Sequence, residues 1–161
     1  MKSRIALSML FVLIAATAFA SDATAAFEKL KTLQGSWKGM ASGHAVQMSN
    51  RITAGGSALM TEIQGAEGMI SMIHLDGERL MLTHYCPMGN QPRLVSTISP
   101  DGKTITFSFL DATNLLTSQE GHLQRVVFNL IDADHHTEIF DFAAADGKPQ
   151  MHEAINLQRT K

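Results

Sequence analysis

From Gly35 onward the chain is a succession of short segments in which apolar and polar residues alternate. Turn signals separate them, and no helical period runs long enough to compete. The clearest segment is residues 104–109, TITFSF, with Ile105, Phe107 and Phe109 on one face and hydroxyls on the other. Such alternation gives a strand one dry and one wet face. Residues 46–52 and 124–130 read the same way. Between segments stand Gly55-Gly56, Asp76-Gly77, Pro100-Asp101-Gly102, Asp132-Ala133-Asp134 and Asp146-Gly147, residue types that tolerate the positive φ of tight hairpins. The pattern predicts about ten strands, nearly all joined by hairpins. Residues 111–121 form the longest link and read as a lid. Ahead of the strands, Ala26, Phe27, Leu30 and Leu33 at helical spacing predict a short helix over residues 22–33. A hairpin-connected sheet of this size removes its exposed edges by closing on itself. The expected fold is therefore all-β: a single antiparallel up-and-down barrel of about ten strands with a short N-terminal helix. A barrel of eight to ten strands is wide enough to hold a small ligand.

Residues 1–20 place Lys2 and Arg4 before an apolar run that ends in Ala18-Phe19-Ala20, the small-x-small pattern of a secretory signal. Cleavage is expected after Ala20, with Ala25 as the alternative. The product is then a periplasmic or secreted domain of residues 21–161, and no segment in it approaches the ~20 apolar residues of a membrane span. Its 141 residues carry 11 basic against 15 acidic side chains, a balance that argues against nucleic acid or an anionic membrane as partner. A chain of this length buries about 68–70% of the surface that its unfolded form exposes. With Cys86 as the single cysteine no intramolecular disulfide is available, so the fold rests on apolar packing.

The segment Gly35-Ser36-Trp37-Lys38-Gly39, after a short helix and at the start of the first strand, resembles the Gly-x-Trp opening of lipocalin-like barrels. With about ten strands to follow, the pattern is nearest to the nitrobindin and fatty-acid-binding side of that superfamily. The resemblance implies that Trp37 plugs one end, that the first strand bends at its glycine, and that the interior takes haem or another apolar molecule. It also implies a haem-ligating histidine late in the chain, for which His152 is the candidate in the last strand.

Chemistry is densest in residues 83–93, THYCPMGNQPR, a strand end running into a rigid turn that holds the only cysteine and the only tyrosine. The ligand-binding candidates are His84, Tyr85, Cys86, Asn90, Gln91 and Arg93, with Trp37 at the far plug. His84 and Cys86 leave the same face of an extended segment, a spacing that permits an activated thiol. The alternative is a buried thiol and a hydrogen-bonded histidine. A zinc site through His84, Cys86 and a distant histidine lacks a recognisable set of four ligands. Arg93 can hold a carboxylate through its planar fork, or can tie down the loop. A two-residue turn at Asp76-Gly77 pairs Leu75 with Glu78, Ile73 with Leu80, Ser71 with Leu82 and Met69 with His84. One face then carries Met69, Ile73, Leu80, Leu82 and His84, and the other Ile70, Met72, His74, Arg79, Met81, Thr83 and Tyr85. Both faces are rather apolar, which leaves the interior face open and admits a homodimer surface. Glu138 shares a face with Phe140 and Phe142, where a carboxyl has a raised pKa and can act as acid or base; the alternative is a Glu facing water or paired with Arg125. No phosphate loop or serine-hydrolase signature is present. The reading favours a binder of a small, largely apolar or amphipathic ligand. The alternatives are an enzyme or redox protein using Cys86 and His84, or a haem barrel using His152.

Overall fold

The computed structural model describes residues 22–65, 68–85, 87–115, 121–143 and 149–160, with backbone alone at residues 149–150. A helix, α1 (Asp22–Lys31), precedes ten strands: β1 (Gly35–Ala41), β2 (His44–Thr53), β3 (Ala58–Gln64), β4 (Met69–Asp76), β5 (Arg79–Tyr85), β6 (Gln91–Ile98), β7 (Thr104–Thr113), β8 (His122–Leu130), β9 (His135–Ala143) and β10 (Pro149–Arg159). Each strand pairs antiparallel with its chain neighbours. The pairing of Trp37 with Arg159 and of Gly39 with Leu157 joins β1 to β10 and closes the barrel. The expected all-β barrel of ten strands behind a short helix is thus the observed fold. No helix among the described residues is long and apolar enough to cross a membrane.

The alternation read from the sequence maps onto inside and outside. Ile105 and Phe107 on β7, Leu82 on β5, Leu94 on β6, Val126 on β8 and Phe140 on β9 all point inward and are buried. Each such side chain contributes about 1.5–3 kcal/mol through removal from water. Phe107 and Phe128 meet edge to face at 5.9 Å between ring centroids, which fixes the packing of the barrel's middle.

Helix α1 closes one end. Ala23, Ala26, Phe27 and Leu30 are buried, and Lys29 Nζ donates to the carbonyls of Asp101 and Gly102 in the β6–β7 turn at 3.3 and 3.1 Å. Trp37 lies just inside this end, 1% exposed, with Nε1 donating to the Leu33 carbonyl at 2.8 Å. Over its ring sits the Arg159 guanidinium, 4.2 Å from the centroid, donating to the carbonyls of Thr32, Gln34 and Ala133. The two glycines of the motif have separate physical reasons. At Gly35, φ is +132° and a Cβ would stand 2.9 Å from the Arg159 guanidinium. At Gly39 a Cβ would fall 2.5 Å from the Asn156 carbonyl oxygen, so only glycine lets β1 lie this close to β10.

Two expectations need correction. The β4–β5 hairpin turns at Gly77-Glu78, pairing Asp76 with Arg79, Leu75 with Leu80, Ile73 with Leu82 and Ser71 with His84. The register is therefore offset by two from the expected one, and because side chains repeat every second residue the division into faces survives. Strand β7 runs on to Thr113, which shortens the longest link to residues 114–121; the lid reading falls on residues 116–120, outside the described residues.

Candidate ligand site

The up-and-down topology puts the β1–β2, β3–β4, β5–β6, β7–β8 and β9–β10 connections together at the end away from α1, which forms the mouth. The stripe of Met69, Ile73, Leu80, Leu82 and His84 is the interior face. Near the mouth its partners on other strands are Ala41, Val46 and Ile63, inward-facing and only partly buried. Ile52, Leu75, Ile98 and Leu130 are partly buried in the same way at the α1 end, and between the two ends the apolar side chains of the inward face are fully buried.

A polar band crosses this lining. Asn50, Thr61, Ser71 and His84 occupy successive paired positions on β2, β3, β4 and β5, all facing inward and all buried. Ser71 Oγ and His84 Nδ1 share a hydrogen bond of 2.9 Å. The ring reaches across the barrel towards Phe142 on β9, with centroids 6.2 Å apart. Burial lowers the His84 pKa from 6.5 to about 4, so the imidazole is neutral near pH 7. Its second nitrogen, Nε2, is buried and has no hydrogen-bond partner among the described residues. Buried polar atoms are nearly always paired, and leaving one unmet costs about 1–3 kcal/mol.

A second buried polar group lies lower. His136 and Glu138 on β9 are fully buried, with His136 Nε2 3.0 Å from Glu138 Oε1. The edge of His136 meets Trp37 at 4.2 Å between centroids, which ties this pair to the plug. Glu138 does share the inward face with Phe140 and Phe142, and its neighbour is His136. Arg125 instead meets Asp141 on the outside at 2.6 Å. Glu153 faces inward at the mouth, where both carboxylate oxygens accept from Ser42, one of them from the backbone N–H at 2.7 Å.

The other candidate residues fall in different places. Tyr85 is exposed on the outer face. Asn90 is buried and donates to the Gly121 carbonyl at 2.9 Å, while Gln91 donates to Gly89 and accepts from Thr113; both tie neighbouring turns together. Arg93 is exposed and forms a two-pronged pair with Asp111 directly across the β6–β7 ladder, which holds the Asp111 carboxyl below the usual range. Its fork is thus committed on the outside of the barrel and does not enter it. Trp37 plugs the closed end and does not line the mouth. Cys86 lies outside the described residues, and with it the activated-thiol reading. His152 is exposed on the outer face of β10, with Nδ1 2.5 Å from Asp141, so it does not fit an axial ligand for haem inside the barrel. His135 is exposed beside Asp132, and among the described residues no group of three or more His, Cys, Asp or Glu is placed to hold a metal ion.

The sequence reading passed over Ser71 and Phe142 as parts of this site. The signal for Ser71 was in the hairpin: Asp76 opposite Arg79 and Leu75 opposite Leu80 make better pairs than Leu75 opposite Glu78, and that register puts Ser71 against His84. Phe142 meets His84 only through barrel closure. Chemically, Ser71 and His84 form a hydroxyl–imidazole pair, but a base with pKa near 4 takes up a proton poorly at neutral pH. The arrangement suits recognition better than proton transfer.

The fold and site define a closed ten-stranded antiparallel barrel with a buried, inward-facing histidine. No protein-family model and no curated protein matches the chain. Among solved structures, it is similar to Rv2717c from M. tuberculosis, with a TM-score of 0.62 and 18% identity over 84% of this chain and 98% of that one. It is also similar to a protein of unknown function from the DUF3598 family of Nostoc punctiforme, with a TM-score of 0.55 and 14% identity over 81% of this chain. The chain spans 49% of that second structure. At these identities the likeness is one of fold.

Proposed function

We propose that this protein is an exported small-molecule-binding barrel that holds a largely apolar ligand in its mouth half, with His84 as the polar anchor. The observation that carries the reading is His84 Nε2: an inward, buried nitrogen without a protein partner, set among apolar walls and fixed in orientation by Ser71. Ligand sites have this make-up of apolar lining with a few directed polar atoms. Export rests on the charged start, apolar run and Ala18-Phe19-Ala20 ending of residues 1–20.

Titration with N-phenyl-1-naphthylamine, an uncharged dye that brightens in apolar surroundings, tests the binding reading. Saturable 1:1 enhancement is expected, weakened by Ile63→Glu in the mouth lining and unchanged by Met72→Glu on the outer face. Loss with Met72→Glu and none with Ile63→Glu would move the site to the outside and overturn the reading. Amino-terminal sequencing of the exported product should begin at Ser21; a chain still starting at Met1 would remove the signal assignment.

A further inference from the structure

We infer that the ligand is an uncharged amphipathic molecule with a hydroxyl-type head group and that a carboxylate is excluded. This rests on the binding reading above and specifies its chemistry. Among the described residues, His84 Nε2 is the unpaired buried atom of the inward stripe near the mouth. Asn90 Oδ1 in the β5–β6 connection and Asn50 Oδ1 further along the polar band are unpaired acceptors, which a hydroxyl can also satisfy and a carboxylate cannot. On the His84 ring Nδ1 is already used by Ser71, so the ring offers either a lone pair or an N–H to the lumen, depending on tautomer. A hydroxyl both donates and accepts, and it completes the site in either case.

A carboxylate meets the opposite situation. Bringing it into an apolar interior costs several kcal/mol unless a cation meets it. Among the described residues the lysine and arginine side chains lie elsewhere. Lys38, Arg51, Arg79, Arg93, Lys103 and Arg125 are exposed. Lys29 and Lys31 belong to the capping helix, and Arg159 is bound to three carbonyls at the closed end. Lys148 and Lys161 lie outside the described residues. The acidic side chain that faces inward at the mouth is Glu153. It repels an anion, whereas an alcohol is indifferent to it.

The test compares two probes with the same chain, 1-decanol and decanoate, as displacers of N-phenyl-1-naphthylamine at pH 7.5 from the wild-type protein and His84→Leu. Decanol should displace the dye at least tenfold more strongly than decanoate. The His84→Leu change should cut decanol affinity roughly three- to tenfold, the fold-change that corresponds to one net hydrogen bond, and leave decanoate unchanged. Should the variant fold poorly, His84→Gln, which keeps a polar side chain, should retain most of the preference for decanol. Decanoate binding as tightly as decanol, or tighter, would overturn the inference and leave the binding reading standing. Equal decanol affinity in wild type and both variants would also overturn it, by removing His84 from recognition. If the dye itself shows no saturable binding, the binding reading fails, and the inference fails with it.

Discussion

His84→Leu should change how the protein responds to acid, and the size of the effect follows from burial alone. In the folded chain the imidazole titrates at about 4; in the unfolded chain it titrates at its ordinary 6.5. Between those values the unfolded state binds the extra proton, so stability rises with pH across the window and is lost as pH falls from 6.5 towards 4. At about 1.4 kcal/mol per pH unit, lowering the pH from 7.5 to 4.5 removes about 2–3 kcal/mol through this one group. Leucine has no such titration, while every other acid-sensitive group is common to both proteins. Urea denaturation of each protein at the two pH values isolates the difference. The wild type should lose about 2–3 kcal/mol more than His84→Leu, equivalent to roughly 5–10 °C in melting temperature for a domain of this size. At neutral pH the two should differ less, because leucine gains apolar burial as it strands the Ser71 hydroxyl. Parallel losses, within about 0.5 kcal/mol, would refute the reasoning, since they would mean that His84 is as well hydrated folded as unfolded.

The closed end makes a sharper demand on shape. Gly39→Ala forces a methyl to within 2.5 Å of the Asn156 carbonyl and should cost about 1–3 kcal/mol or more in urea denaturation; a neutral result would mean that β1 and β10 can separate without penalty. Trp37→Ala should cost about 3–5 kcal/mol because it removes the plug that Arg159, His136 and Leu33 converge on, and a loss under 1 kcal/mol would show that the end is held by other contacts. Arg93→Ala should leave dye, decanol and decanoate affinities unchanged, since its fork is engaged with Asp111 outside the barrel; weaker decanoate binding in that variant would return Arg93 to the ligand. In a hemin titration His152→Ala should behave as the wild type does, and loss of a Soret shift specific to His152 would contradict its outward placement.

How far the sequence could be read depended on the range of the interaction involved. Strand alternation is set by neighbours two residues apart, so residues 104–109 announced their inner face without knowledge of the barrel. The plug at Trp37 followed from the likeness of its Gly-x-Trp motif to other barrels, and alternation put Glu138 on one face with Phe140 and Phe142 without deciding whether that face is inside. The inner and outer faces of β4 and β5 were not told apart, since Met72 and Met81 make the outer face nearly as apolar as the inner one. Only closure decides between them. The outward positions of Arg93 and His152 were not legible for a related reason: their partners, Asp111 and Asp141, lie on neighbouring strands, and the pairing of β6 with β7 shifts register at Arg93/Leu94, which local pattern does not reveal. The proximity of His84 to Phe142 arises from strands on opposite sides of the barrel, beyond any local signal.

The central claim is that ligand enters the barrel and meets His84, and the methionines supply a direct probe of it. Met69 points into the mouth half, whereas Met72 and Met81 lie on the outer face of the same hairpin. With methyl-labelled methionine and labelled histidine and phenylalanine rings, nuclear Overhauser contacts from bound 1-decanol can be assigned residue by residue. The account predicts contacts from the alkyl chain to the Met69 methyl and the Phe142 ring, and from the carbinol end to the His84 ring. Contacts confined to Met72, Met81 or Tyr85 would contradict it and place the ligand on the outside of the barrel.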